Sequence, residues 1–482
     1  MSRRKRLEPF DLHVLGLAKG GVGAGIAPDG KPMHVRGAPP GSVIHVVPQG
    51  YRKGVYQGRR LAMVTPPPGA VEPRCAVFGL CGGCQLQEID LEAQRTHKTT
   101  LARAQVLGDT ATGHLRLHET RGTSSAWGYR NKVELSFGVR RYLSETDHQA
   151  GLPIAGRFLG MHAPGRFDRV VDTERCELLG DAGNAVVAVV RAHALSADAP
   201  LPWDVRSHQG FWRHLGIRVS EGDRSLLVCL YTSSGQAVDA AAVEDLAQAL
   251  LATELPEGWR LAGVQWRTND SVADVARGEI AQTWGEGTIT ETLLGKAFDI
   301  SPESFFQTNT KGAEVLYQTI RDALGQPGGT LVDLYCGTGS IGIALSEGFD
   351  SVVGVEVVPE AVEHARENAE RNGVTATFTA GKMEDALHIL ETAAPPRSIV
   401  VDPPRAGLHP RVAASLAKVP GDVLVYVACQ PASLGRDRAI LEAGHWRMTD
   451  LWLVDLFPHT GHMEAVARFE PHTPSQSLAP TE

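Results

Sequence analysis

Residues 331–342 read Leu331-Val332-Asp333-Leu334-Tyr335-Cys336-Gly337-Thr338-Gly339-Ser340-Ile341-Gly342. An apolar strand runs into a glycine turn, and the residues after Ser340 start a helical pattern. Gly337, Gly339 and Gly342 spell G-x-G-x-x-G, a turn whose bare backbone lets a nucleotide approach closely. Farther on, Glu356 ends the next strand, where a carboxylate can accept hydrogen bonds from both ribose hydroxyls. These features fit a nicotinamide dinucleotide and S-adenosylmethionine alike.

Outward from this stretch, strand and helix alternate. Strands are expected at 331–335, 351–357, 398–401 and 422–428, and helices at 341–346, 359–372, 411–417 and 433–443. Such alternation predicts a doubly wound, Rossmann-like, mainly parallel α/β sheet, here placed over residues 293–470. Ligands of such sheets gather beyond the carboxyl ends of the strands. Two residues stand there: Asp402, opening Asp402-Pro403-Pro404-Arg405, and Cys429, after the apolar run 423–428. Asp333, four residues before the first glycine, completes D-x-x-x-G-x-G, which resembles adenosylmethionine enzymes, and the D-P-P element resembles nucleic-acid methyltransferases.

The rest of the 482 residues are too many for one core, so further domains are expected. Residues 1–66 break into short strands at 11–15, 26–27, 34–35, 42–48, 51–57 and 61–64, punctuated by Gly and Pro, which predicts a small OB-like β-barrel. Pro66-Pro67-Pro68-Gly69 reads as a stiff linker. Residues 67–292 read as a central α+β domain with a helix opening at Asp90, and 471–482 as a disordered tail. No apolar run reaches the roughly 18 residues of a membrane span and no signal sequence is evident, so a cytoplasmic protein without membrane contact is expected.

Charge is unevenly placed. Residues 1–71 hold eleven Lys or Arg against Glu8, Asp11 and Asp29, whereas the whole chain carries −8. A basic module on an acidic body is what a nucleic-acid enzyme needs, one part for phosphates and another for chemistry. Arg36, Arg52, Lys53, Arg59 and Arg60 are the phosphate-contact candidates, with Tyr51 and Tyr56 as stacking or core residues.

Cys75, Cys81 and Cys84 lie close in sequence, with Cys176 the next cysteine. Four thiols suit zinc or an iron–sulfur cluster, and spacing alone leaves both open. Gly82-Gly83 would let backbone N–H groups approach inorganic sulfide.

Five ordered segments resemble the RNA uracil-C5 methyltransferase family: Ser301-Pro302-Glu303-Ser304-Phe305-Phe306-Gln307-Thr308-Asn309, Asp333–Gly337, Val401–Arg405, Tyr426-Val427-Ala428-Cys429 and Asp455-Leu456-Phe457-Pro458-His459-Thr460. The resemblance implies S-adenosylmethionine as cofactor, contacted by Gln307, Tyr335, Gly337, Ser340, Glu356, Glu384 and Asp402. It implies Cys429 as nucleophile and Glu464 as base, because uracil C5 reaches a sulfonium methyl only after a thiolate adds at C6. Ser340, Glu384 and Gln430 depart from residues common in relatives. Cys81-Gly82-Gly83-Cys84-Gln85-Leu86-Gln87 resembles the family's cluster-binding stretch, which implies a [4Fe-4S] cluster on Cys75, Cys81, Cys84 and Cys176. The barrel resembles a TRAM domain, and Tyr129-Arg130-Asn131-Lys132 a family segment at the active-site entrance, adding Arg130 and Lys132 as RNA contacts. Barrel and cluster together resemble the members acting on 23S ribosomal RNA, and a monomer is expected. Transfer RNA is the alternative substrate, and an NAD-dependent reductase with a metal-stabilised accessory domain is the alternative class.

Overall fold

A computed structural model describes residues 7–108, 113–235, 237–326, 328–386, 390, 395, 397–419 and 421–472. The expected tail at 471–482 lies largely outside these residues.

The glycine turn sits in a nine-stranded sheet, ordered Ala376–Ala380, Ser351–Glu356, Thr330–Leu334, Arg397–Val401, Val423–Ala428, Glu464–Pro471, Trp446–Asp455 and Arg116–Leu117, with Arg121–Gly122 also on Trp446–Asp455. The first five strands are parallel, and the Trp446–Asp455/Glu464–Pro471 hairpin closes the sheet antiparallel. The strands run almost wholly apolar because both faces are covered. Thr310–Leu324, Ser340–Ala344 and Pro359–Arg371 cover one face, while Pro410–Leu416, Pro431–Glu442 and Leu91–Leu107 cover the other. Strand order reverses between Thr330–Leu334 and Arg397–Val401, which opens the crevice where such sheets bind ligands.

Helix Leu91–Leu107 starts where expected, with the Asp90 carboxylate accepting from Ala93 N at 2.8 Å. Sequence places it with the central unit. In the structure it packs on Pro431–Glu442, and the short strands at 116–117 and 121–122 extend the C-terminal sheet. Residues 91–108 and 113–122 are thus integral to the layered sheet domain that carries the site.

The N-terminal strands Phe10–Ala18, Val22–Ile26, Pro32–Arg36, Val43–Arg52 and Val55–Thr65 close a five-stranded barrel around Leu12, Val14, Met33, Val35, Ile44 and Val46. The expected strand at 51–57 is instead a hairpin. Lys53 and Gly54, at φ 50° and 84°, turn the chain in the left-handed conformations of a two-residue loop. Nor is Pro66–Gly69 a free linker, for Pro67 is buried and Gly69 O accepts from Asp90 N at 2.8 Å. The central domain is a seven-stranded sheet, with Lys132–Arg140, Trp212–Ser220 and Ser225–Thr232 in its middle and Asp181–Ala194 and Ala237–Leu251 packed on it.

Candidate active site

Three neighbouring strands end at one crevice. Thr330–Leu334 leads to the glycine turn, Arg397–Val401 to Asp402, and Val423–Ala428 to Cys429. Ala428 pairs with Ala465 on the antiparallel neighbour, so the next step of that register sets Cys429 opposite Glu464. Cys429 lines a pocket with Arg405, Gln430, His462 and Met463, and Glu464 follows Met463 at 4% exposure.

The charges there are unbalanced. Burial first, then the Asp402 charge, with Arg405 and Lys98 opposing, push Glu464 up to about 8. Burial likewise raises Asp402 to about 7. The Cys429 thiol is driven to about 11, first by burial, then by Glu464 and Asp402, with Arg405 opposing. Among the described residues, neither the Glu464 nor the Asp402 carboxylate accepts a hydrogen bond from the protein. The site therefore holds two acids without hydrogen-bond donors, Glu464 buried and Asp402 half-buried, that a cation would relieve.

Asp402 acts electrostatically on Tyr317 and Asp333 as well as on Cys429 and Glu464, so it lies between the glycine turn and the thiol. The turn itself is firmly built. Asp333 Oδ2 accepts from Gly342 N at 2.9 Å, while its Oδ1 is buried with no partner. Burial raises this carboxyl to about 7. Glu356 accepts from Gly337 N at 3.1 Å, Val357 N at 2.8 Å and Val358 N at 3.0 Å. Ser340 shares a 2.7 Å hydrogen bond with Tyr317. Tyr335 stands at φ 66°, and its hydroxyl is raised to about 12 by burial and by nearby Glu384, which is itself 3.4 Å from His409 Nδ1. Gln307 is reached from the central domain, for Asn131 Nδ2 donates to Gln307 O at 2.8 Å and Asn131 N to Thr308 O at 3.0 Å.

The chain between Asp455 and Glu464 is braced from several sides. Tyr129 donates to Pro458 O at 3.0 Å, and Asn309 Nδ2 to Leu456 O at 2.7 Å. Gln85 N and Leu86 N donate to His459 O at 2.8 and 3.0 Å, and His459 N donates to Gln94 Oε1 at 2.7 Å. His459 adopts φ 65°, stacks on Trp127 at 3.9 Å, and is held neutral by burial and by Lys98. Lys98, 1% exposed, pairs with Asp455 and donates to Phe457 O at 3.2 Å. Sequence reading assigns no role to Gln94 or Lys98 and names His459 only within the Asp455–Thr460 segment. A signal was present: Gln94 and Lys98 share one i, i+4 stripe with buried Ala102 and Val106.

Cys75, Cys81, Cys84 and Cys176 line a common cavity with Val77, Phe78, Leu135 and Met161. Their charges influence one another, and burial raises Cys75, Cys81 and Cys84, the last to about 12. Among the described residues, however, no group of three or more His, Cys, Asp or Glu is arranged to hold a metal ion. The preformed ligand set expected from sequence is thus not shown. Neutral thiols have no force drawing them closer than ordinary contact.

The basic candidates divide. Arg36, Arg52, Lys53 and Arg59 are exposed and make no ion pair among the described residues. Arg60 is bonded to Glu88 through two 2.9 Å hydrogen bonds, and Lys132 pairs with Glu134 at 2.6 Å. Arg130 lies by the cysteine cavity, with its Nε buried and unpartnered. Tyr51 and Tyr56 pack on each other at 4.7 Å under Lys31. No helix among the described residues is long and apolar enough to cross a membrane.

Comparison with known proteins agrees with this geometry. Residues 326–394 match a methyltransferase domain family, and residues 389–470 match the tRNA (Uracil-5-)-methyltransferase family. An RNA methyltransferase of Chlorobaculum tepidum is 38% identical over 86% of each chain. One from Clostridium acetobutylicum is 33% identical over 90% of this chain and 92% of its own. Among solved structures, the tRNA (uracil-54, C5)-methyltransferase of Pyrococcus abyssi in complex with S-adenosyl-L-homocysteine is similar, with a TM-score of 0.73 and 25% identity over 96% of this chain and 99% of that one. Fold, site and relatives converge, and the chain belongs to the RNA uracil-5-methyltransferase family.

Proposed function

We propose that the chain uses S-adenosylmethionine to methylate C5 of a uracil in RNA. The strand register that sets Cys429, a pocket-lining residue, opposite buried Glu464 carries this reading. The Cys429 thiolate adds to C6, so that electron density at C5 takes the methyl group. Glu464 then accepts the C5 proton, the C5–H electrons form the C5–C6 double bond and the C6–sulfur bond breaks, returning the thiolate. The site suits a cationic cofactor, because half-buried Asp402 and buried Asp333, whose Oδ1 has no partner, both have raised proton affinity. Gln307, Tyr335, Gly337, Ser340, Glu356, Glu384 and Asp402 would hold it, and it would supply the methyl group.

Cys75, Cys81, Cys84 and Cys176 are proposed to hold a [4Fe-4S] cluster. The four cysteines line one cavity, a donor set that suits zinc or a cluster, and the resemblance of Cys81–Gln87 to a cluster-binding stretch supports the iron–sulfur reading. The cluster's role would be structural. Gln85 and Leu86, directly after Cys84, hold the chain leading to Glu464.

Ribosomal RNA is the substrate proposed from the combination of barrel and cluster. Transfer RNA is favoured by one observation, the near full-length likeness to an enzyme that modifies uracil-54 of tRNA. The test is to incubate both RNAs with labelled S-adenosylmethionine and analyse the nucleosides. Label in 5-methyluridine, lost in Cys429→Ser while cofactor binding persists, is expected. Label elsewhere, or full activity in that variant, would refute the assignment.

A further inference from the structure

We infer that the N-terminal barrel forms part of the active site, with Lys19 on its first hairpin turn joining Arg405 in holding the RNA phosphate beside the reacting uridine. The inference rests on the function proposed above.

Ala18 pairs with Val22, so Lys19, Gly20 and Gly21 form a tight turn, with the two glycines at φ 79° and 72°. This turn is seated on the catalytic loop. A Cβ built on Gly461 would lie 2.1 Å from Gly21 N, and one on Gly21 would lie 3.0 Å from Gly461 Cα and 3.1 Å from Gln85 Cβ. Three parts of the chain (the barrel turn, the segment after Cys84, and the loop before Glu464) therefore meet at backbone contact. Glycine at both positions is what permits it.

The contact brings Lys19 and Gly20 into the wall of the pocket that contains Arg405, Cys429 and His462. Lys19 and Arg405 are exposed, and neither makes an ion pair or side-chain hydrogen bond among the described residues. A uracil seated against Cys429 necessarily brings its own phosphodiester to the pocket wall, and each phosphate carries one negative charge. Two unpaired cations at that wall are the matching recognition. Strand register extends the pattern. Gly23 pairs with Val35, which sets Arg36 beside Val22 near the same turn, and Arg59 pairs with Arg36. Arg52 and Lys53 lie at the other end, because Phe10, at the start of the first strand, pairs with Val46 and the hairpin tip extends beyond it. The phosphate path thus runs from Lys19 toward Arg36, away from the tip.

The test is a double-perturbation cycle on an RNA oligonucleotide that the wild-type protein methylates. It carries either natural linkages or a neutral methylphosphonate immediately 5′ or 3′ of the target uridine. Lys19→Gln should raise the RNA KM about tenfold. It should lower the log–log salt slope by about 0.7 and leave cofactor affinity unchanged, and Lys19→Arg should restore the KM. One of the two methylphosphonates should penalise the wild type but add little in Lys19→Gln, whereas Lys53→Gln should respond to it as the wild type does. Independent, multiplying effects of Lys19→Gln and both methylphosphonates would overturn the inference, as would an unchanged KM. Failure of the wild-type protein to methylate any RNA uracil would instead overturn the proposed function.

Discussion

Glu464→Gln isolates the electrostatic cost of the candidate base. The carboxyl is 4% exposed, and burial lifts it from 4.5 to about 8. Between those values the folded chain retains a proton that the unfolded chain has released. Ionisation therefore opposes folding, and stability falls as pH rises across the window. Below it both states are protonated and the difference vanishes; above it the penalty is constant. At about 1.36 kcal/mol per pH unit, raising pH from 5.5 to 7.5 should cost the wild type about 2.5 kcal/mol that the glutamine variant does not lose. Urea unfolding reads the difference between the two proteins at each pH, so titrations common to both cancel. Fluorescence of Trp446 and Trp452, on the strand beside Glu464, reports the relevant sheet. A pH-independent difference would refute the assignment of a raised proton affinity to Glu464.

The remaining predictions concern its neighbours. The pH dependence of Cys429 alkylation should show a midpoint near 11, moved down by Asp402→Asn and up by Arg405→Gln; movement in the opposite sense would contradict the electrostatics. Lys98→Met would leave buried Asp455 with only Arg95, at 3.5 Å, and should cost about 3 kcal/mol in thermal or urea unfolding. Gly461→Ala should force the barrel turn off the catalytic loop and raise the RNA KM with little effect on cofactor affinity; an unchanged KM would show that the junction does not matter. Anaerobically purified protein should contain iron and sulfide, and Cys84→Ala should lose both together with methylation. Stoichiometric zinc without sulfide would overturn the cluster.

The C-terminal sheet was legible because its strands are apolar runs punctuated by glycine and proline, and because Asp333, Asp402 and Cys429 fall just where strands end. Register was not legible: that Cys429 faces Glu464 depends on a hairpin folding back antiparallel, which local pattern does not specify. Nor was the reach of residues 91–108 and 113–122 into that sheet domain, since two-residue strands such as Arg116–Leu117 carry no periodicity. Lys19 was invisible for a related reason. An exposed lysine before two glycines looks like any hairpin turn until the Gly21–Gly461 contact brings it to the thiol's pocket. Arg60 and Lys132 show the converse, basic residues that pair with Glu88 and Glu134.

The central claim, that Cys429 attacks uracil and Glu464 later removes the C5 proton, is tested most directly with RNA containing 5-fluorouridine. Fluorine at C5 cannot leave as a proton does, so methyl transfer should proceed and the adduct should then persist. Peptide mass spectrometry after incubation with this RNA and S-adenosylmethionine should find a methylated fluorouridine attached to Cys429. With ordinary RNA, Glu464→Gln should accumulate the corresponding adduct carrying hydrogen at C5. Attachment at another residue, or no covalent complex from a preparation that forms 5-methyluridine, would contradict the account.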